Sequence, residues 1–247
     1  MIPSLRRSIF SCSKLAELVF FPSFCELCFS LLEFPNEKIV CHSCMESIKP
    51  HRFSFCVCCG RFFDYLGELH LCSHCQENLP PFSFHRSCGR YQGKLKDIIL
   101  LYKYRKFRVL GKELARFVCR TLGRDEELWR GLEAIVPVPL HPKKHKKRGF
   151  NQSKIIAEEL AKEKGVEFIE KTLVKIKNTP PQTSLVRAER EKNVRRTFRI
   201  IKTEKIEGKT VLLVDDVYTT GSTIRECCAV LKKGGAEEIR AITLAQA

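Results

Sequence analysis

From residue 91 onward, the hydrophobic and polar positions of the chain switch repeatedly between two periodicities. Apolar residues three and four positions apart predict helices over 94–104, 109–122, 151–164 and 222–233. Short apolar runs predict strands over 134–138, 168–174, 210–215 and 238–244. Because helices and strands alternate, we expect an α/β fold over residues 85–247, with a parallel sheet and flanking helices.

The N-terminal residues 1–24 have a helical periodicity of their own. Their apolar side chains recur at helical spacing at Leu5, Ile9, Cys12, Leu15, Leu18 and Val19. Arg6 and Arg7 ahead of an apolar patch are also typical of a signal peptide, but Lys14 and Glu17 interrupt the patch and no small-residue cleavage site follows. No apolar stretch approaches the roughly 20 residues that a membrane-spanning helix needs. We therefore predict an amphipathic N-terminal helix and a cytoplasmic protein without a membrane span.

Composition divides the 247 residues into two parts. Residues 1–90 hold 11 of the 14 cysteines and 9 basic against 8 acidic side chains. Residues 91–247 carry 35 Lys and Arg against 20 Asp and Glu, which is nearly all of the net charge of +16. A cysteine-rich module therefore precedes a strongly basic one. In a cytoplasmic protein the cysteines are expected to stay reduced.

Eight of the cysteines form an internal repeat. Two Cys-x2-Cys pairs with a spacer of 12 residues occur twice, 31 residues apart, at Cys25 and Cys28, Cys41 and Cys44, Cys56 and Cys59, and Cys72 and Cys75. Each pair supplies two thiolates to one edge of a tetrahedral zinc site, so the repeat predicts two structural zinc sites in a double zinc ribbon over 25–80. Four thiolates leave no open position for a substrate.

Some alternatives for these cysteines stay open. A disulfide framework is one, and a reducing compartment argues against it. Spacing alone does not decide whether each zinc takes neighbouring or crossed pairs, although neighbouring pairs are the simpler arrangement. Cys58, the odd thiol inside the repeat, is expected to pack in the interior, and His42, His70 and His74 are expected at the surface.

The segment over 211–223 has the pattern of a phosphosugar site. Four apolar residues predict a buried strand, which ends in Asp215 and Asp216. The next turn carries hydroxyls and a glycine and opens a helix, with the sequence Thr219, Thr220, Gly221, Ser222 and Thr223. At the end of a parallel strand, the N–H groups of such a turn converge on an anion, whereas adjacent carboxylates suit sugar hydroxyls or hydrated Mg²⁺. A ribose 5-phosphate meets these demands.

These thirteen residues resemble the 5-phosphoribosyl 1-pyrophosphate (PRPP) signature of type I phosphoribosyltransferases. The resemblance implies that Asp215 and Asp216 face the ribose hydroxyls and Mg²⁺, and that residues 219–223 hold the 5-phosphate. Thr219 stands where purine-salvage members commonly have an aspartate, which argues against a hypoxanthine or guanine salvage enzyme. The alternative is a plain strand-turn-helix corner with two solvated aspartates.

Two basic segments accompany the signature. Residues 141–148 contain five cations and two histidines. In the phosphoribosyltransferase layout this loop lies where pyrophosphate binds, so Arg148 and Gly149 are the candidates there. Residues 171–202 hold 10 basic and 2 acidic side chains and correspond to the mobile hood loop that closes over PRPP. A cationic lid would stabilise leaving pyrophosphate, and the same cations would also suit a nucleic-acid backbone.

Nearly the whole chain resembles the ComF family. The resemblance rests on residues 15–22, the double cysteine unit, residues 148–152, residues 179–182 with Arg190 and Asn193, and the PRPP signature. It implies a type I phosphoribosyltransferase-like sheet preceded by a small double zinc ribbon, with PRPP and Mg²⁺ as ligands.

In transformable bacteria, members of this family act in the handling of internalised single-stranded DNA, so DNA or the uptake machinery are the implied partners. The second hypothesis is an active phosphoribosyltransferase that acts on an unidentified nucleophile. A third, a zinc-ribbon module that only binds nucleic acid, leaves the PRPP signature unexplained.

Overall fold

The computed structural model describes residues 22–32, 34, 37–50, 54–65, 67–178 and 196–247. The chain forms two compact units, one ending at Ile48 and the other running from Lys49 to Ala247. The helix predicted over residues 1–24 lies almost wholly outside the described residues. So does most of the predicted hood loop, including Arg190 and Asn193.

The described secondary structure lies mainly in the second unit. The strands are β1 Phe84–Ser87, β2 Ala134–Pro137, β3 Glu167–Phe168, β4 Leu173–Lys175, β5 Phe198–Ile200, β6 Thr210–Tyr218 and β7 Glu238–Gln246. The α-helices are α1 His42–Glu46 in the first unit, then α2 Ser73–Glu77, α3 Gly93–Tyr104, α4 Leu110–Leu122, α5 Glu126–Trp129, α6 Pro142–Arg148, α7 Gln152–Lys164 and α8 Ser222–Lys233. The four predicted helices are thus confirmed within two residues at each end. No helix of the described residues is long and apolar enough to span a membrane.

Five strands form one parallel sheet in the order β1-β7-β6-β2-β3. The chain runs from β6 through α8 to β7 in one direction and from β2 through α7 to β3 in the other, so right-handed crossovers place α7 and α8 on opposite faces. Helix α7 packs against β2 and β6, and α8 packs against β6 and β7. The direction of winding reverses between β2 and β6, and such a reversal opens a crevice at the carboxyl ends of the strands.

One face of the sheet shares its core with the second cysteine quartet, Cys56, Cys59, Cys72 and Cys75. Val136 of β2 and Leu213 of β6 lie in the same buried cluster as Cys227 of α8 and the four cysteines of this quartet. Cys58 is buried in this cluster too, as predicted for a packing residue. The second quartet is therefore part of the hydrophobic core of the larger unit.

Two features of the sheet differ from the sequence prediction. The strand predicted over 168–174 is divided between β3 and β4, because Lys171 adopts a left-handed φ of 62° that turns the chain. Strand β4 then leaves the main sheet and pairs antiparallel with β5. Strand β1 is not predicted, because three of its four residues are polar although all four are buried. Hydrogen bonds satisfy these polar groups, such as the one of 3.0 Å between His85 Nε2 and Thr243 Oγ1.

Candidate functional site

Two adjacent carboxylates lie in the carboxyl-terminal half of β6, beside the crevice. Asp216 is buried, accepts a hydrogen bond from Gln152 Nε2 at 2.7 Å and forms an ion pair with Lys103 Nζ at 2.7 Å. Asp215 Oδ1 accepts hydrogen bonds from Ser153 Oγ and from the backbone N–H of Asp216, both at 2.9 Å. Side chains from α3 and α7 therefore hold both carboxylates in place.

The first two residues of α7, Gln152 and Ser153, are held in position to bond these carboxylates. Asn151 caps the helix, since its side chain accepts a hydrogen bond from Ser153 N at 3.2 Å and donates one to Val138 O at 3.0 Å. The second bond ties the helix start to the chain leaving β2. Tyr102 OH also donates to the carbonyl of Gln152 at 3.0 Å. Gln152 and Ser153 are thus fixed by capping and packing.

The pKa of Asp215 is raised above that of an ordinary aspartate. Burial raises the pKa of Asp215 to about 7, and the charge of Asp216 contributes to the rise, whereas Lys103 and the hydrogen bond from Ser153 oppose it. Gln152 Oε1 is also buried and has no hydrogen-bond partner among the described residues. The pair could therefore bind a hydrated divalent cation or sugar hydroxyls, because either would favour ionised Asp215 and satisfy the free amide oxygen.

The turn after β6 brings hydroxyls to the N-terminus of α8. Gly221 caps this helix with a left-handed φ of 77°, and a Cβ at this position would overlap the hydroxyl of Tyr218. Thr220 Oγ1 lies 2.7 Å from Ser222 Oγ. The first N–H groups of a helix have no partners within the helix and carry partial positive charge, so this turn could hold a phosphate. Thr219 precedes this helix and Thr223 lies in its first turn, and both are partly exposed.

The basic segment predicted as a loop is a short helix. Pro142 at its first turn and Gly149 at its C-cap, with a φ of 87°, explain why this cationic stretch is helical. Arg148 lies at its last position, and its guanidinium is 5.6 Å from the centre of the Tyr104 ring. Burial and the charges of Lys175 and Arg148 lower the pKa of Lys144 to about 8.

Lys175 of β4 links this helix to the carboxylates. Burial lowers the pKa of Lys175, while the carboxylate of Asp215 acts in the opposite direction. Lys144, Arg148 and Lys175 form no ion pair with a carboxylate of the described residues. Mutually repelling, partly buried cations beside a crevice are suited to a multivalent anion.

The eight repeated cysteines form two quartets in space. Within each quartet the sulfur atoms lie within 4.8 Å of one another, and the grouping is by neighbouring pairs, Cys25, Cys28, Cys41 and Cys44 in one and Cys56, Cys59, Cys72 and Cys75 in the other. Equivalent backbone N–H groups donate to sulfur in both, from Cys41 to Cys25 at 3.4 Å and from Cys72 to Cys56 at 3.3 Å. Either quartet could hold a zinc ion with tetrahedral thiolate ligands.

The second quartet is connected to the turn after β6. The Tyr218 ring stacks on the His85 ring with 4.3 Å between centres, and His85 Nδ1 lies 2.9 Å from the carbonyl of Cys59. Arg225 of α8 reaches the same region, where Nη1 donates to Asn78 O at 3.3 Å. Its Nε and Nη2 are buried without a hydrogen-bond partner among the described residues.

The structure therefore brings most of the predicted site residues to one end of the sheet. Asp215, Asp216 and the turn 219–223 are continuous along the chain, and Lys175 and Lys144 connect them to Arg148. Sequence analysis missed Lys103, Gln152, Ser153 and Lys175. Of these four residues, only Gln152 and Ser153 have a recognisable context in the sequence. They follow a helix-capping asparagine at the start of a helix that comes after a parallel strand.

The fold and the crevice define a phosphoribosyltransferase-like domain preceded by two cysteine quartets. Residues 146–247 match the family model described as phosphoribosyl transferase domain. The chain is 31% identical over 163 residues to competence protein F of Haemophilus influenzae, covering 64% of this chain and 71% of that protein. It is likewise 31% identical over 160 residues to competence protein ComFC of Streptococcus pneumoniae, covering 65% and 67%.

A third relative is the DNA utilization protein YhgH of Salmonella typhi, which is 34% identical over 108 residues, with 44% of this chain and 47% of that protein covered. The chain thus spans just under half the length of YhgH and about two thirds or more of the two competence proteins. It belongs to the ComF family. The family resemblance and the α/β fold class predicted from sequence are confirmed.

Proposed function

We propose that this ComF-family protein binds PRPP with Mg²⁺ and acts as an accessory in natural transformation, handling internalised single-stranded DNA. The observation that carries the proposal is the carboxylate pair Asp215 and Asp216, fixed by Lys103, Gln152 and Ser153 just before the hydroxyl-lined start of α8. The names of the relatives, competence protein and DNA utilization protein, support the DNA part of the proposal.

In this proposal the parts of PRPP are distributed by charge. The ribose hydroxyls and hydrated Mg²⁺ face the two carboxylates, with Gln152 Oε1 as a further acceptor. The 5-phosphate takes the N–H groups and hydroxyls of Thr219, Thr220, Gly221, Ser222 and Thr223. The pyrophosphate lies against Arg148 and the backbone of Gly149, the two candidates predicted from the sequence. Lys144 and Lys175 lie close to Arg148 and are added as further contacts.

The PRPP site is tested by calorimetric titration with PRPP and Mg²⁺. Asp216→Asn removes one charge and keeps the shape, and the amide of Gln152 can reverse so that its oxygen accepts from the new amide. We expect the affinity to fall at least about tenfold, the effect of losing one strong charged contact. Asp97→Asn, an equal charge change at an exposed position on α3, is the matched control. Equal affinity in the two variants would refute the site assignment.

A second candidate function, an active phosphoribosyltransferase, is supported by the cations Lys144, Arg148 and Lys175, which form no ion pair with a carboxylate of the described residues. In that reaction an acceptor forms a bond to C1 of PRPP and loses its proton, while the C1–O bond breaks and pyrophosphate leaves with the electron pair. Cations at the leaving group would stabilise its developing charge. Pyrophosphate release from PRPP, measured against a panel of nucleophiles, tests it. Release no faster than from PRPP without the protein, with every nucleophile, would leave PRPP as a bound ligand only.

The DNA part is tested through its salt dependence. Residues 91–247 carry 35 basic and 20 acidic side chains, so contact with single-stranded DNA should release counterions. The logarithm of the affinity for a single-stranded oligonucleotide should then fall linearly with the logarithm of salt concentration, by about 0.7 per phosphate contacted. Binding that is absent at low salt, or insensitive to salt, would remove direct DNA contact from the proposal.

The remaining parts of the proposal concern metal, location and organisation. Zinc in both quartets would make them structural, because four thiolates complete its coordination. A cytoplasmic location suits eight thiols that must stay reduced to bind metal. A zinc-ribbon module over 25–80 followed by a domain over 85–247 is the organisation that we infer from the sequence repeat.

A further inference from the structure

A cavity of 620 Å³ opens beside the carboxyl end of β2. Its walls come from the end of β2, helix α6, the start of α7 and the chain from β3 to β4. Most of the lining is apolar and includes the side chains of Val136, Ile169, Leu173 and Val174 and the rings of Pro137, Pro139 and Pro142. Binding sites for small molecules have such a lining and volumes of roughly 300 to 1,000 Å³.

Charge is distributed unevenly around this cavity. Four lysines line it, Lys146, Lys154, Lys171 and Lys175, against one carboxylate, Glu170. Lys154 Nζ pairs with Glu170 at 2.8 Å, whereas the other three lysines form no ion pair with a carboxylate in the part of the chain that the structure describes. The cavity therefore combines apolar walls with an excess of positive charge, which suits a ligand that has an apolar body and an anionic group.

The lining also constrains the shape of the ligand. Proline side chains have little conformational entropy to lose when a ligand packs on them, so the three proline rings provide rigid apolar contacts for a flat ring. The described lining residues include no Phe, Tyr or Trp. A single-stranded nucleic acid that tracks across a protein is usually held by stacking successive bases on such aromatics. The cavity is therefore suited to one planar ring rather than to a run of bases.

The cavity is adjacent to the carboxylate site but distinct from it. Asp215, Asp216 and the turn 219–223 do not line it. Two lining residues connect the two places, since Lys175 lies near the Asp215 carboxylate and Asn151 precedes the residues that bind the carboxylates. Because Asp215, Asp216 and residues 219–223 lie outside the lining, a ligand in the cavity and a ligand at the carboxylates could be bound at the same time.

We propose that this cavity binds one nucleotide, with the planar base against the proline rings and the phosphate beside Lys146 and Lys171, the exposed lysines of the rim. The proposal goes beyond PRPP binding and stands whether or not PRPP binds. The shared chemistry, a planar base that carries a phosphate, has two sources, a free mononucleotide or the terminal nucleotide of single-stranded DNA.

Calorimetric titration of the full chain with dAMP tests the proposal, in the presence of PRPP and Mg²⁺ to occupy the carboxylate site. We expect dAMP to bind under these conditions. Deoxyadenosine and inorganic phosphate should each bind at least about tenfold more weakly, because each lacks one of the two kinds of contact. Equal affinity for inorganic phosphate, or displacement of dAMP by PRPP, would overturn the proposal.

Two variants locate the binding. Lys146→Glu with Lys171→Glu reverses two exposed rim charges, and Leu140→Trp fills the cavity from a partly exposed position. Each should weaken dAMP binding at least about tenfold, and Leu140→Trp, which changes no charge, should also leave PRPP binding within about twofold. The matched control is Lys96→Glu with Lys112→Glu, the same charge change at exposed positions on α3 and α4. Equal dAMP affinity in the rim and control variants would refute the assignment even if dAMP binds.

The two sources are separated by competition. A short single-stranded oligodeoxynucleotide with a 5′-phosphate should displace dAMP if the cavity takes a DNA end, and the same oligonucleotide without the phosphate should not. If neither oligonucleotide competes while dAMP still binds, the ligand is the free mononucleotide. Competition by both oligonucleotides with equal strength would contradict the cavity as a site for one phosphate-bearing nucleotide.

Discussion

The two cysteine quartets have the same spacing and different surroundings. In the first quartet Cys28 is exposed, and the quartet belongs to the compact unit that ends at Ile48. In the second, all four cysteines are buried in the core of the larger unit. A repeat in the sequence can therefore produce one cysteine quartet that belongs to a small unit of its own and another that forms part of the core of an α/β domain.

One turn position displays this difference most clearly. Phe29 and Gly60 are 31 residues apart, and both have a left-handed backbone, with φ of 59° and 66°. The side chain of Phe29 is 78% exposed. A Cβ on Gly60 would lie 2.5 Å from the carbonyl oxygen of His85, so only glycine fits there. The second turn has become close-packed against β1, while the first tolerates a large aromatic residue.

The largest expected effect comes from removing one ligand of each quartet. Cys59→Ser takes a thiolate out of the core of the larger unit, and structural zinc contributes on the order of 10 kcal/mol to folding in zinc-finger peptides. We expect this variant to lose the cooperative thermal transition followed by circular dichroism. Cys28→Ser should lower the zinc content by about one ion per chain and leave that transition in place. If Cys59→Ser melts as the unaltered protein does, the second quartet does not support the core.

The next effect comes from the paired turn positions. Gly60→Ala should destabilise the larger unit by about 2 kcal/mol or more, because it adds left-handed strain and a close contact with the His85 carbonyl. Phe29→Gly should cause no loss, or a gain of up to about 1 kcal/mol, because it removes the strain of a left-handed aromatic residue. Urea unfolding measures both. Equal effects of the two substitutions would show that the two turns are packed alike.

Arg225 offers a test of the charge balance around the second quartet. A zinc ion with four thiolates carries net negative charge, and next to this quartet the charge of Arg225 partly offsets the rise that burial causes in the pKa of Cys58. We expect Arg225→Met to speed chelator-induced zinc release about tenfold. Release from Arg225→Lys should be faster than from the unaltered protein and slower than from Arg225→Met. Measuring in the Cys28→Ser background leaves the second quartet as the metal source. Release from Arg225→Met at the unaltered rate would contradict a role for this guanidinium.

The smallest effect concerns pH and should appear only in the larger unit. The pKa of Asp215 rises from 3.8 to about 7 on folding, so its ionisation costs stability increasingly from about pH 4 to pH 7. Asp215→Asn keeps the oxygen that accepts from Ser153 and avoids this cost. Its stability gain should therefore be near zero at pH 4 and largest near pH 8, measured without PRPP or Mg²⁺. A gain that is constant with pH would show that the carboxylate is not strained by burial.

Local sequence patterns predicted those features that depend on neighbours along the chain. Cysteine spacing was enough for the two quartets, and apolar runs followed by Asp215 and Asp216 were enough for β6 and its turn. Lys103 and Lys175 could not be predicted in this way. They come from α3 and β4, and only the folded chain brings them to the ends of β6 and β2.

Buried polar residues account for most of the structural features that could not be predicted from the sequence. Strand β1 is hidden in the sequence because His85, Arg86 and Ser87 look like surface residues, and their partners lie up to 158 positions away. The cationic helix α6 looked like a loop because its charges obscure the turn-forming Pro142 and the capping Gly149. Periodicity records which side chains avoid water, so it does not detect polar groups whose burial is compensated by distant partners.

Because Cys28 is exposed, the two quartets should differ in how readily oxidants attack them. Peroxide and hypochlorite attack accessible thiols first, and the second quartet has no exposed sulfur-bearing residue. Oxidation should therefore remove a metal bound by the first quartet before one bound by the second, while the α/β domain keeps its ligand site. Damage of this kind is reversible for as long as the thiols stop at the disulfide stage, because reductant and zinc together would restore the first unit without refolding the second.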